Sequence, residues 1–292
     1  MATWAVGQHV RDEFWLSALC FYLPSPLVAI LLLGIAGAAA RWGCRRTAVA
    51  AALWALAPAL SVAVIENHWT SPAPPKSTGC SLRLVHWNVA RGRLGPTRVT
   101  DRLAATEADA YVVSEASGVQ ALLAFAHRLG GEFTLVRIWG LAFLARGKLG
   151  IKQNLRLAGG GHAHTFLWLP PTGPPLKLLV VDLSSSVLAH RDPLLRRLRE
   201  LIAAERPDIV VGDLNAPRRS LALASLPVGY HHAYDAAGSG WSYTWPAPFP
   251  LWAIDQCILG PRVRATRYTL RSTTASDHRM QILDFTLCAA GG

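Results

Sequence analysis

Asp213 and Asn215 stand where an apolar run, Ile209-Val210-Val211-Gly212, comes to its end. A carboxylate can take a proton from water or hold a divalent cation, and a carboxamide can donate to an oxygen that gains charge. The run is short, β-branched and bounded by a helical pattern and a turn, which predicts a buried strand. Alternation along that strand puts Asp213 and Asn215 side by side on one face, and Gly212 leaves room for a ligand to approach the backbone. The plainer reading of the same residues is a strand followed by an Asp/Asn turn. Other runs end in similar chemistry. Asn88 closes Leu84-Val85-His86-Trp87, Glu115 closes Tyr111-Val112-Val113-Ser114, Asp255 follows Trp252-Ala253-Ile254, and Ser276-Asp277-His278 opens the last run. One acid at a strand end is ordinary; an ordered set of acids, amides and an imidazole at separate strand ends is a candidate site.

The elements that must position these residues alternate along the chain. Strands are predicted at 82–89, 110–115, 208–214, 241–245, 251–259, 263–270 and 279–288, with several more between 134 and 183. Helices are predicted at 98–107, 118–129 and 188–205, the last with arginines on one side and leucines on the other. Strand pairs separated by single helices predict an α/β sandwich of two sheets.

The chain of 292 residues is 51% hydrophobic with mean hydropathy +0.26, too apolar for an ordinary soluble domain, and the excess lies at the N-terminus. Residues 14–40 and 47–65 carry no charge, and each reads as a transmembrane helix, the second of near-minimal length. Arg41, Arg45 and Arg46 lie between them, which predicts a cytoplasmic loop. The organisation that follows is a transmembrane helical hairpin over 1–65, a Pro-rich linker over 66–80 and one large domain over 81–292. It predicts a multi-pass protein of the inner (cytoplasmic) membrane with that domain extracytoplasmic. A signal-like reading of 45–77 puts the domain on the same side. The formal charge is +11, and 81–292 holds 24 Lys and Arg against 15 Asp and Glu. That balance suits an anionic substrate: a phosphoester, an anionic lipid head or nucleic acid. The cysteine and histidine spacing argues against structural zinc, and no repeat argues for a solenoid. No feature calls for an obligate protein partner.

The ordered motifs HWNV (86–89), VVSEA (112–116), VVGDLNAP (210–217), TWP (244–246), WAIDQCIL (252–259) and TASDHR (274–279) resemble those of the endonuclease/exonuclease/phosphatase superfamily. The resemblance covers essentially all of 81–292, and the hairpin and linker resemble its membrane-anchored bacterial branch. It implies a four-layered two-sheet α/β sandwich and a phosphoric ester hydrolase that uses Mg²⁺, or Mn²⁺ in its place, to assist water attack. Residue by residue it implies Glu115 as principal metal ligand, with Asn88 and Asp277 on the metal side. It implies Asp213 as the group that orients or deprotonates water and Asn215 as the amide that stabilises the transition state. His278 is implied as a phosphate contact with Asp255 holding its imidazole, and Asn88 as a further contact to phosphate oxygens. A hard cation of this kind takes oxygen ligands and needs only one or two carboxylates. Anchoring implies the lipid bilayer as the hairpin's partner and a lipid-linked phosphate or pyrophosphate as substrate. A surface nuclease acting on DNA or RNA is the alternative, and a catalytically inactive binding or scaffold protein the second.

The sequence departs from the family pattern at Asp182, where a His is usual, and at Gln256, where many relatives have His or Tyr. Asp182 is expected to bind a cation or to hydrogen-bond Ser184–Ser186. The strands bearing Asn88 and His278 must share one active-site end and so run antiparallel, which brings Cys80 near Cys288 as a candidate disulfide. Trp241, Tyr243, Trp245, Phe249 and Trp252 are either a lip at the membrane interface or packing beneath a loop. Arg191, Arg196, Arg197 and Arg199 read as a solvated helix face, and His162 and His164 as turn or strand positions.

Overall fold

Proline divides the first apolar run into two helices. In the computed structural model, which describes residues 1–70, 81–157, 160–186 and 189–288, helix α1 covers Ala2–Val10 and the predicted segment 14–40 divides in two. Helix α2 (Trp15–Phe21) ends before Pro24, and α3 (Ser25–Arg41) starts with Pro26 in its first turn, where a missing N–H costs nothing. The pair bends by 61° and could form one broken span. Helix α4 (Arg45–Leu60) continues as a π-helix, Ser61–Glu66, and the 22 residues Arg45–Glu66 are by themselves long and apolar enough to cross a membrane. Most of the exposed large apolar side chains among the described residues lie before residue 70, including Phe14, Leu16, Ile30, Leu31, Leu53 and Trp54.

The domain is built from strands β1 (Ser81–Asn88), β2 (Ala110–Ser114), β3 (Phe133–Ile138), β4 (Leu141–Arg146), β5 (Lys148–Arg156), β6 (Gly161–Leu169), β7 (Leu176–Leu183), β8 (Ile209–Asp213), β9 (His231–His232), β10 (Asp255–Leu259), β11 (Val263–Arg271) and β12 (Met280–Leu287). One sheet has the order β11-β12-β1-β2-β4-β3 and the other β5-β6-β7-β8-β10-β9. Among the strands of the described residues, β1/β2 and β7/β8 pair in parallel and the other neighbours antiparallel. Helices α5 (Pro96–Ala104) and α6 (Ala121–Arg128) cover the first sheet through Val99, Leu103, Leu122 and Phe125. Helix α7 (Asp192–Glu205) covers the second through Leu195, Leu198 and Ile202. Short helices α8 (Leu221–Ala224) and α9 (Ala233–Ala237) complete the chain. Two helical layers outside two sheets give the expected four-layered sandwich.

Period two then places the chemistry. Leu84 faces the inter-sheet core while Val85 and Trp87 face the helices, so Asn88 ends the inner row of β1. Leu178 and Val180 lead to Asp182 on β7, Val211 leads to Asp213 on β8, and Cys257 and Leu259 share the inner face of β10 with Asp255. Gly212 differs from expectation. A Cβ there would lie 1.7 Å from the Val181 carbonyl oxygen, so the glycine admits the neighbouring strand rather than a ligand. Gly212→Ala is expected to lower the domain's stability by about 2–4 kcal/mol, read as the midpoint of chemical denaturation.

The predicted strand 241–245 is not formed and the predicted strand 251–259 begins only at Asp255, as β10; 241–245 and 251–254 form a loop with a single bridge, Trp245 opposite Trp252. Pro246, Pro248 and Pro250 lack the amide donors a ladder requires. Antiparallel β1 and β12 are neighbours, with Ser81 opposite Thr286, as the cysteine argument needs. Cys80 itself, and with it the proposed disulfide, lies outside the described residues.

The start of the polar stretch 66–80 is docked rather than free. Glu66 accepts hydrogen bonds from Ser25 Oγ (2.5 Å), Ser61 Oγ (2.7 Å) and the Tyr243 hydroxyl, and Ser242 N donates to Asn67 Oδ1 at 2.7 Å. Leu221 N donates to Asp12 Oδ1 at 2.8 Å, and the Trp252 indole donates to the Tyr22 carbonyl at 2.8 Å. Arg191 is not on a solvated face. It is buried, donates to the Ser184 and Ser186 carbonyls, and lies over the Tyr22 ring.

Candidate active site

At the end of the sandwich, β1, β2, β8, β10 and the turn before β12 converge. The Asn88 amide donates to Asp213 Oδ2 at 2.9 Å and to Glu115 Oε1 at 3.2 Å. Glu115 follows β2 in a left-handed conformation, φ 51°, and its side chain is 36% exposed, which leaves its oxygens accessible. Asp255 is in register with Asp213 on the neighbouring strand. His278 Nδ1 donates to Asp255 Oδ2 at 2.9 Å, and its Nε2 is 4.0 Å from Asp213 Oδ2. The sequence-predicted residues Asn88, Glu115, Asp213, Asp255 and His278 therefore share one pocket end.

Two predicted residues are placed differently. Asn215 is not on the strand: the ladder stops at Asp213, and Asn215 turns into the left-handed region at φ 48°. Its backbone N–H donates to Asp213 Oδ1 (2.9 Å), so a turn, not strand alternation, sets the pair side by side. Asn215 Nδ2 also donates to the Leu183 carbonyl at 2.8 Å. Asp277 receives the Trp245 indole N–H at 3.0 Å and stands outside the tight group of Asp213, Asp255 and His278.

Burial, then the nearby Asp255 charge, push Asp213 above the ordinary carboxylate range. Burial opposes ionisation of Asp255 too, but the charge and hydrogen bond of His278 outweigh it and hold that carboxyl low. Burial would depress His278, yet Asp255 and Asp213 raise it to about 9. Because this value is above the unfolded 6.5, the ion pair stabilises fully below pH 6.5 and is lost as pH rises through about 9. In the presence of chelator, the thermal midpoint of the wild type is expected to fall across that window, and Asp255→Asn to flatten the dependence.

Asp182 points inward opposite Asp213, and burial, then Glu115 and Asp255, raise it to about 6. Among the described residues its carboxylate has no hydrogen-bond partner, so the expected bond to Ser184–Ser186 is not made there. Gln256 faces away from the pocket and donates to the Ala216 and Ala253 carbonyls at 3.0 and 2.6 Å, clamping the two loops that carry the site.

A supporting layer escaped the sequence reading. His86 is bonded to Ser114 Oγ and to Gln281 Nε2, each at 3.0 Å, and Gln281 accepts from Tyr268. Burial lowers His86 to about 4, so it sits neutral beneath the ion pair. Ser276 Oγ donates to the Asn88 carbonyl, and the Trp87 indole to that of His278, joining β1 to the last turn. His86 carried a signal: it lies two residues before Asn88, hence on the same face.

The donor atoms fit a divalent cation. Glu115, Asn88 and the surrounding carboxylates offer hard oxygen ligands, and Asp255 and Asp277 each keep one buried oxygen without a hydrogen-bond partner among the described residues. Asp213, Asp255 and His278 lie within 4.8 Å of one another. A protonated imidazole, however, donates to anions rather than ligating metal, so Glu115 and Asn88 are the better seat.

A two-sheet α/β sandwich that gathers oxygen ligands and an imidazolium at its strand ends is the architecture of a hydrolase for anionic esters. The profile of the Endonuclease/Exonuclease/phosphatase family matches residues 85–278, and the chain belongs to that family, whose members hydrolyse phosphoester bonds and depend on divalent metal. Solved structures share the fold. Truncated TDP2 of Caenorhabditis elegans is 21% identical with TM-score 0.54, covering 70% of this chain and 98% of its own. TDP2 of D. rerio complexed with single strand DNA product is 16% identical with TM-score 0.52, covering 70% and 99%. A family protein of Bacteroides thetaiotaomicron is 15% identical with TM-score 0.54, covering 73% and 100%. No curated protein matches the sequence.

Proposed function

We propose that this protein is a membrane-anchored, Mg²⁺-dependent phosphoesterase that hydrolyses a phosphate or pyrophosphate ester on a lipid, with its catalytic domain on the extracytoplasmic side. One observation carries the reading. The strand ends bearing Asp213 and Asp255 lie at the end of the sandwich against which the apolar N-terminal helices are docked, through Tyr22 on Trp252 and Asp12 on Leu221. The Arg41–Arg46 loop is at the opposite end of the hairpin from this junction, and positive loops stay cytoplasmic.

Glu115 and Asn88 would hold the cation, with Asp277 nearby. A bound divalent cation supplies neutralisation of the phosphoryl group and a more acidic water. Asp213, pushed up by burial and by Asp255, is suited to accept the proton of the attacking water. His278 donates its Nδ1–H to Asp255 in a hydrogen bond and has Nε2–H for a phosphate oxygen. Asn215 donates one amide hydrogen to Leu183 and has a second for the transition state.

The test is phosphate release from a prenyl pyrophosphate, a phospholipid and plasmid DNA in detergent, with wild type and Asp213→Ala in parallel. Release from the lipid pyrophosphate alone, lost in the variant, is the expected result. The basic domain favours one second reading, a nuclease: degradation of plasmid with no lipid turnover would replace the first. No turnover of any substrate, with Glu115→Ala tolerated in binding, would mark a scaffold.

A further inference from the structure

A pocket of about 50 Å³ opens between the bend of the α2–α3 pair and the domain, several times the ~10–15 Å³ that one water requires. Apolar Phe21, Leu23, Leu251 and Trp252 line it together with the charged Glu66 and Arg219. Its position relative to the site is set by sequence. Pro217, on its wall, follows Asn215 by two residues, and Ala253, also on its wall, precedes Asp255 by two. The pocket and the catalytic pocket thus lie on the same pair of loops, which Gln256 clamps together.

Trp252 links the two directly. Its ring lies 5.4 Å from that of Trp245, which in turn holds Asp277 and stands 6.4 Å from the His278 ring. The same bent pair exposes Leu16 and Leu19 on α2, Leu23 at the bend and Leu27 on α3, and of these Leu23 also lines the pocket. A largely apolar cleft beside exposed leucines, and two residues in sequence from Asn215 and Asp255, suits a molecule that is apolar at one end and phosphorylated at the other.

We infer that this pocket is a binding site for the first carbons of the substrate's lipid chain, with the rest of the chain lying along α2 and α3. The inference rests on the lipid-linked reading above and adds where the chain is held. Free phosphoesters without a chain would bypass the pocket, so chain recognition and chemistry are separable.

The experiment uses the full chain in detergent micelles and a non-hydrolysable prenyl phosphonate bearing a diazirine near its head. Labelling is expected at residues 21–24 and 251–253, reduced at least fivefold in Leu23→Trp, which fills the pocket. In the same variant KM for a long-chain prenyl pyrophosphate should rise at least tenfold, while kcat/KM for soluble bis(p-nitrophenyl) phosphate stays within twofold. Labels confined to the outward faces of α3 and α4 would overturn the inference. The wild-type labelling map decides this even if Leu23→Trp does not fold. Pocket labelling without turnover of either substrate would keep the binding site and reject the enzymatic reading. Lipid turnover with labels elsewhere would reject the pocket alone.

Discussion

Asp213→Asn is expected to reduce phosphoester hydrolysis by about a thousandfold, the scale of losing a positioned general base, while the circular dichroism spectrum and thermal midpoint stay close to wild type. Asp213 has three neighbours in place: the Asn88 amide on Oδ2, the Asn215 backbone N–H on Oδ1, and His278 Nε2 at 4.0 Å. An asparagine can keep the acceptor for Asn215 N–H but cannot take a proton from water. The change also removes one of two carboxylates that repel each other across β8 and β10, which offsets the loss of the Asn88 amide bond to Oδ2 and keeps the thermal midpoint near wild type. A wild-type rate in Asp213→Asn would show that water is activated elsewhere in the pocket.

Chelation is expected to abolish activity reversibly, with Mg²⁺ or Mn²⁺ restoring it, and Glu115→Gln to shift the half-saturating metal concentration upward by at least tenfold. Burial and neighbouring carboxylates push Asp182 and Asp213 above the ordinary range, Glu115 and Asp255 contributing to Asp182 and Asp255 to Asp213, so the group resists full ionisation until a divalent cation offsets its charge. Glu115 is partly exposed, accepts from the Asn88 amide and has Arg91 at 3.6 Å. Isothermal titration of metal into the chelated protein reads the shift without substrate; unchanged affinity in Glu115→Gln would move the metal seat away from β2.

Much of this arrangement was legible because each central strand ends its inner apolar row in a polar residue. Asn88, Asp182, Asp213 and Asp255 follow from alternation once the strands are recognised. What alternation could not supply was the turn that places Asn215, because the backbone leaves the strand one residue too early. It also could not tell a glycine that admits substrate from one that admits a neighbouring strand, since Val181 is 31 positions away from Gly212 in sequence. Gln256, noted in the sequence only as a departure from the family's usual His or Tyr, is a clamp, because its side chain faces the other side of β10 from Asp255. Arg191 read as surface because its partners, Tyr22 and the Ser184 and Ser186 carbonyls, come from a distant helix and an irregular segment. The seam between residues 1–68 and the domain joins positions more than 150 apart, such as Glu66 with Tyr243, beyond the reach of any periodicity.

That seam has a kinetic consequence. On the proposed reading, with the hairpin embedded in a bilayer, Glu66, Asn67 and Tyr22 would fix the candidate site against the headgroup plane instead of letting it swing on a tether. Encounter with an amphiphilic substrate would then become a two-dimensional search, governed by lateral diffusion and mole fraction rather than by molarity. Adding inert phospholipid at constant substrate and enzyme should therefore slow turnover through surface dilution alone.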